Sequence, residues 1–170
     1  MKVQFGEIPE EGLRLEIKDE TWFPDNELQR TGPVQSIIVL KRNGLDRVLV
    51  EGKIKTTIAF NCDRCLQKGT LDIDKSFKLD LEYTGTDKFV PAEHEISSSE
   101  MDMIYLDEPV IDVFEILGQQ VFLMIPEKHL CRESCKGLCP RCGANLNLET
   151  CDCKQDLKSS PFSILKKEKP

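Results

Sequence analysis

Eight cysteines constrain this chain more than any other feature. Six lie between Cys131 and Cys153, and the other two, Cys62 and Cys65, form a separate pair. A cysteine-dense disulfide scaffold is usually a shorter, secreted chain with an apolar signal peptide, and the start "MKVQFGEIPEEG" has no apolar core of that kind. We therefore expect a cytoplasmic protein in a reducing compartment, where clustered thiols are more often metal ligands.

The spacing Cys139-x2-Cys142-x8-Cys151-x1-Cys153 predicts one zinc site. The "CPRCG" stretch has the form of a zinc knuckle, because its two-residue gap aims both thiolates at one ion and its glycine permits a sharp turn. The "CDC" stretch supplies the other two ligands. Four thiolates around Zn²⁺ make a closed structural site with no position for water. The metal would fold a segment that has few apolar side chains of its own.

The four remaining cysteines allow a second Cys₄ site, formed by Cys62, Cys65, Cys131 and Cys135. Other partitions of the thiols stay open, including one zinc site plus free or redox-active cysteines. An iron–sulfur cluster is an alternative occupant of a Cys₄ set, although the knuckle form favours zinc. His129 lies close enough in sequence to be an extra ligand, but we favour a surface role for it.

Strand patterns dominate the chain before Cys131. Leu13, Leu15 and Ile17 alternate with polar residues, which predicts a strand. Asn43-Gly44 lies between two β-rich runs and predicts a type I′ hairpin turn. Gly52 indicates a bulge in the second of these strands.

A further strand is predicted just after Cys65. Its apolar residues stand mostly on one parity, as a half-buried strand requires: Leu71, Ile73, Phe77, Leu79 and Leu81. Cys62 and Cys65 are therefore expected at the connection between two antiparallel strands.

A helix is predicted near residues 108–125, with Asp107 as N-cap, Pro109 in its first turn and Pro126 after its end. Its apolar residues recur at helical spacing and should pack on the sheet rather than line a ligand groove: Val110, Ile111, Phe114, Leu117, Val121, Met124 and Ile125. The predicted fold class is α+β. An antiparallel, barrel-like sheet is covered by one main helix in a body at 1–130, and an irregular zinc-binding tail follows at 131–170.

Charge divides unevenly between these two parts. Residues 1–130 hold fifteen Lys/Arg and twenty-five Asp/Glu, a net charge of −10, whereas residues 131–170 hold eight and five, a net charge of +3. Nucleic-acid affinity comes largely from neutralising phosphates, so the acidic body suits a basic protein partner better than RNA. The candidate contacts to RNA or another partner lie in the tail: Arg132, Lys136, Arg141 and Lys154.

Nothing in the sequence argues for an enzyme. The two histidines belong to no H-E-x-x-H pair, and no Gly-rich phosphate loop is present. Asp112 and Glu115 are best interpreted as a solvated helix face. A redox C-x-x-C motif usually opens a helix, whereas Cys62 and Cys65 are predicted between strands. No run is long and apolar enough for a membrane span, so no membrane partner is expected. Because no enzyme motif is found, no small-molecule substrate is expected either.

The stretches "CDRCL", "FLMIP" and "LCRESCKGLCPRCGANLNLETCDC" together resemble the bacterial YceD family, the large ribosomal RNA subunit accumulation proteins. The resemblance runs from about residue 34 to "PFSIL" near the end. It implies a role in the synthesis or accumulation of large-subunit (23S) ribosomal RNA during ribosome assembly, and no catalytic activity. The leading hypothesis is thus a non-enzymatic ribosome-biogenesis factor that binds a ribosomal protein or a large-subunit rRNA precursor. The alternative is a thiol-based redox or metal-sensing protein.

Overall fold

The computed structural model describes residues 1–85 and 103–153. Contacts divide the chain into two compact units. The first comprises Met1–Phe60 and Gly69–Glu127, and the second comprises Asn61–Lys68 and Lys128–Pro170, described as far as residue 153. The short connection that carries Cys62 and Cys65 therefore groups with the cysteine-rich segment, a grouping that a division after residue 130 does not anticipate.

The described chain forms seven strands, one 3₁₀ turn at Phe5–Glu7 and one α-helix. The strands are β1 Lys2–Gln4, β2 Leu13–Ile17, β3 Gln35–Arg42, β4 Arg47–Asn61, β5 Lys68–Tyr83, β6 Met103–Leu106 and β7 Val110–Asp112, and the helix is α1 Val113–Met124.

Strands β2 to β6 form one sheet in chain order, and β1 pairs with β7 in a separate two-stranded sheet. The pairs β2–β3 and β3–β4 are antiparallel, but β5 and β6 are parallel. A parallel pair needs a long connection, which residues 84–102 supply. Because β2 and β6 do not pair with each other in the described residues, the sheet is open. The expectation of an antiparallel, barrel-like sheet is therefore corrected: the sheet is open, and one of its strand pairs is parallel.

The turn between β3 and β4 is longer than predicted. Arg42 pairs with Val48, and the Asn43 N–H donates to the Arg47 carbonyl at 2.9 Å, which leaves residues 44–46 as the loop. A type I′ turn needs positive φ at both central residues, but only Gly44 of the Asn43-Gly44 pair has it, at +99°.

Gly52 does not form the bulge that the sequence indicates. It pairs with Ile38 in an unbroken register along β3 and β4. A Cβ atom at this position would overlap the Phe77 ring, so the glycine makes room for an aromatic side chain of β5.

Helix α1 begins five residues later than predicted, at Val113 rather than 108. Val110–Asp112 instead pairs with Lys2–Gln4, and Asp112, not Asp107, is the N-cap. The Asp112 Oδ1 accepts from the N–H groups of Phe114 and Glu115 at 3.1 and 3.3 Å, which fixes the helix start. Leu117, Val121 and Met124 are buried as predicted, whereas Phe114 is only partly buried. The buried face also includes Val113, Ile116 and Gln120, which the sequence does not single out.

The first 33 residues, for which the sequence predicts only one strand, supply much of the core of the first unit. Val3, Phe5, Ile8, Trp22 and Phe23 are all buried there. Among the described residues, no helix combines the length and apolar character needed to cross a membrane.

Candidate metal centres

The connection between β4 and β5 is a tight cysteine turn, here called the first knuckle (Cys62–Gln67). The Leu66 N–H donates to the Cys62 carbonyl at 2.8 Å, and the Cys62 N–H donates to the Gln67 carbonyl at 2.9 Å. Leu66 has a φ of +59° and is the one non-glycine residue with positive φ in the described ranges. These bonds turn the chain so that the thiols of Cys62 and Cys65 face the same side.

The second knuckle (Cys139–Ala144) repeats this turn. The Gly143 N–H donates to the Cys139 carbonyl at 2.9 Å, and the Cys139 N–H donates to the Ala144 carbonyl at 2.8 Å. Gly143 has a φ of +75° at the position that corresponds to Leu66. "CDRCL" and "CPRCG" are therefore one local structure built twice, although the sequence identifies only the second as a knuckle.

Site A consists of Cys62, Cys65, Cys131 and Cys135, whose four Sγ atoms lie within 4.8 Å of one another. The Sγ–Sγ distance is 3.8 Å between Cys62 and Cys135 and 3.6 Å between Cys65 and Cys131. A tetrahedron of thiolates at the usual Zn–S length of about 2.3 Å has edges of about 3.8 Å. The spacing of the sulfurs therefore fits a four-thiolate metal site.

Site B consists of Cys139, Cys142, Cys151 and Cys153, whose Sγ atoms also lie within 4.8 Å of one another. Both cysteine sets named from the sequence are thus brought together, and either could hold a metal ion. Site A is the more enclosed, since three of its cysteines are buried and Cys131 is exposed, whereas Cys139 is the one buried cysteine of site B. The described groups with metal-binding geometry do not include His129. The backbone N–H of His129 instead donates to the Asp63 carboxylate at 2.6 Å.

Backbone N–H groups favour one thiolate in each knuckle. Burial raises the pKa of Cys62, but hydrogen bonds from the backbone N–H groups of Cys131, Cys65 and Arg64 outweigh burial and lower this pKa to about 6. The N–H groups of Cys142 and Arg141 lower the pKa of Cys139 to about 6. The first cysteine of each knuckle is therefore prepared to bind as a thiolate.

One thiol of each site, Cys131 in site A and Cys153 in site B, resists ionisation. Burial and the thiols of Cys65 and Cys135 raise the pKa of Cys131 to about 12. Cys142 and burial likewise raise the pKa of Cys153 to about 12. Several negative sulfurs cannot share such a space without compensation, and a divalent cation would supply it.

The candidate contact residues are partly engaged inside the second unit. Arg132 donates from Nη2 to the Asn147 Oδ1 at 3.0 Å, and the Lys136 backbone N–H donates to the same oxygen at 2.8 Å. The side chain of Arg141 is exposed, and Lys154 lies outside the described residues.

Arg64 is a positioning residue beside site A that the sequence analysis does not single out. Its Nη1 donates to the carbonyls of Cys135 at 2.8 Å and Glu133 at 3.3 Å, so it fixes the backbone beside a site A ligand. The signal was the repeated C-x-R-C pattern, which places Arg64 and Arg141 at equivalent positions.

The fold and the sites define the class as a small protein with a sheet-and-helix unit and a second unit that carries two four-cysteine clusters, each of which could hold a metal ion. The family described as "Large ribosomal RNA subunit accumulation protein YceD" matches residues 50–168, which include all eight cysteines. The chain belongs to the YceD family.

Curated relatives support this membership at modest identity. The Arabidopsis thaliana protein named large ribosomal RNA subunit accumulation protein YCED homolog 1, chloroplastic, is 29% identical over 175 residues, covering 91% of this chain and 52% of the relative. The Zea mays protein of the same name is 27% identical over 151 residues, covering 74% and 50%. An uncharacterized Mycobacterium tuberculosis protein is 31% identical over 104 residues, covering 60% and 46%. The chain thus spans about half the length of these relatives, and no solved structure matches it.

Proposed function

We propose that this protein is a non-enzymatic ribosome-biogenesis factor that supports the synthesis or accumulation of large-subunit (23S) ribosomal RNA. The observation that carries the proposal is the family match over residues 50–168, together with relatives whose names describe large ribosomal RNA subunit accumulation. Both cysteine knuckles lie inside the matched range. The proposed place of action is the cytoplasm, whose reducing conditions keep thiols available for metal binding.

Zn²⁺ is the proposed occupant of sites A and B. Thiolates are soft ligands, and Zn²⁺ takes four of them in a tetrahedron with edges that match the Sγ spacing of site A. Such a site leaves no ligand position for water, which suits a structural role. The second unit would gain its folded shape from these ions because its described part, to residue 153, has few buried apolar side chains beyond the cysteines themselves.

The proposed partner is a basic ribosomal protein or the large-subunit rRNA precursor. The net charge of −10 on residues 1–130 favours encounter with a basic protein. The exposed Arg132, Lys136 and Arg141 offer cationic contacts in the second unit, and Lys154 is added from the sequence.

The test of this function is depletion of the protein in its own cells, with the ratio of large- to small-subunit rRNA as the readout. We expect the ratio to fall and to recover when the wild-type gene is supplied. An unchanged ratio would contradict the proposal. Sedimentation of the tagged protein with ribosomal precursors, before and after ribonuclease treatment, separates an RNA partner from a protein partner.

Metal and thiol analysis separates this function from the redox alternative. Purification under reducing conditions should give two zinc ions per chain and protected thiols. Metal-free protein with a readily formed Cys62–Cys65 disulfide would favour redox chemistry instead.

A further inference from the structure

Asn147 connects the two cysteine sites. It lies in the loop between Cys142 and Cys151, two ligands of site B, yet its Nδ2 donates to the Sγ of Cys135, a ligand of site A, at 3.3 Å. A residue of one site's loop therefore contacts a sulfur of the other site.

The Asn147 amide is fully used. Its Oδ1 accepts from the Lys136 N–H at 2.8 Å and from Arg132 Nη2 at 3.0 Å, and its Nδ2 donates to Cys135 Sγ and to Asn145 Oδ1, the latter at 2.9 Å. A side-chain amide donates two hydrogen bonds and accepts two. Rotating the Asn147 amide by half a turn would point its N–H groups at the Arg132 and Lys136 donors and lose all four bonds. Its orientation is fixed, and Arg132 and Lys136 each adjoin a ligand of site A.

The loop that carries Asn147 is itself ordered by a tight turn. The N–H groups of Leu148 and Glu149 both donate to the Asn145 carbonyl, at 2.9 and 3.0 Å, and the Leu146 N–H donates to the Gly137 carbonyl at 3.0 Å. Both ends of the loop are site B ligands. A cation at site B would therefore restrict the loop to a conformation that presents Asn147 to Cys135.

We propose that Asn147 is a positioning residue that couples the two sites, so that a cation at site B tightens binding of a cation at site A. The inference rests on the proposed metal binding and deepens it. Hydrogen bonds to a ligating sulfur orient the ligand and tune its affinity for the ion, and losing such a partner typically weakens metal binding by about 10–100-fold. Coupling of binding is reciprocal, so filling site A tightens site B by the same factor.

The test uses the full chain loaded with ¹¹³Cd²⁺, for which each four-thiolate site gives its own NMR resonance. Chelator competition then yields the affinity of each site. We expect Asn147→Ala to weaken Cd²⁺ binding at site A by about 10–100-fold. Asn147→Asp keeps the shape and the accepting oxygen but removes the N–H donor, so it should weaken site A as well. Leu148→Ala truncates the exposed neighbouring residue as a matched control and should leave site A unchanged.

The decisive comparison combines Asn147→Ala with loss of site B through Cys142→Ser and Cys151→Ser. Loss of site B alone should weaken site A, and adding Asn147→Ala should then have little further effect. Independent, additive effects would overturn the coupling. An unchanged affinity at site A in both Asn147 variants would overturn it too, while two bound ions would leave the proposed metal sites standing. A chain that binds neither Cd²⁺ nor Zn²⁺ would instead refute the metal proposal itself.

Discussion

The two knuckles have the same backbone and different surroundings. Each closes with the same pair of hydrogen bonds and a residue of positive φ after its second cysteine. The first uses Leu66 there and lies between two long strands, whereas the second uses Gly143 in an irregular segment. The turn is therefore determined by the cysteine spacing and by N–H groups directed at sulfur, and glycine only makes it easier.

The arginine of each knuckle shows what the surroundings add. Arg64 donates to two carbonyls near Cys135, and its own carbonyl accepts the Leu138 N–H at 3.0 Å. Arg141 occupies the equivalent position with an exposed side chain. Arg64 is exposed as well, so the first knuckle is more integrated into the chain through the hydrogen bonds that Arg64 makes and not through burial of its side chain.

The largest expected effect comes from removing one ligand in either knuckle. Cys62→Ser and Cys139→Ser should each lower the metal content from two ions to one under saturating zinc, because serine does not replace a thiolate in a closed site. Hydrogen exchange should rise around the altered site, and strands β3 and β4 of the first unit should keep their protection. Elemental analysis with mass-resolved exchange measures both. Exchange that rises equally in both units would contradict the assignment of the metal's folding energy to the second unit.

Arg64→Ala should have the next largest effect and separates the two knuckles most directly. Hydrogen bonds from a charged donor contribute about 1.5–3 kcal/mol, so we expect a loss of about that size in the free energy of unfolding of the second unit. Arg141→Ala is the matched control and should change it by less than about 0.5 kcal/mol. Both free-energy losses can be measured by unfolding the zinc-loaded protein with denaturant and using hydrogen exchange in the second unit as the probe. Equal losses would show that the knuckles are equally integrated.

The sequence predicts local features of the fold better than their assembly. Alternation identified β2, and the one-parity apolar residues identified β5, because a strand's side chains record which face is buried. The parallel pairing of β5 with β6 left no such record, because it depends on a partner distant in sequence. The helix start was placed early because Val110 and Ile111 fit a helical stripe, although pairing with β1 makes them a strand.

The candidate site follows the same division between local and distant information. Cysteine spacing predicts the site B set, because ligands of one ion recur at short, fixed intervals, and site A is the set of four cysteines that remains. Spacing could not decide between partitions of the thiols, since Cys62 and Cys135 meet only through the fold. Asn147 had no signal at all, because asparagine in a polar loop is ordinary until a sulfur lies beside it.

Gly143→Ala should have a moderate effect that isolates the backbone requirement. A Cβ atom at this position would meet nothing within 4 Å, so the cost is that of holding alanine at a φ of +75°. We expect a loss of about 1 kcal/mol in the free energy of unfolding of the second unit, measured as for Arg64→Ala. Gly44→Ala, which also has an open environment and positive φ, is a control in the first unit. No measurable loss at Gly143 would mean that the second knuckle opens easily even with metal bound.

Leu66→Gly should have the smallest effect and the opposite sign. Holding a leucine at a φ of +59° costs about 1–2 kcal/mol, and glycine removes that cost while adding about 0.5–1 kcal/mol of entropy to the unfolded chain. The Leu66 side chain is 64% exposed, so little burial is lost. We therefore expect a gain of about 0.5 kcal/mol, seen as slower exchange in the first knuckle, and Leu66→Asn should behave similarly because asparagine tolerates this conformation. A loss in both variants would show that the leucine side chain itself, and not the shared backbone turn, stabilises the first knuckle.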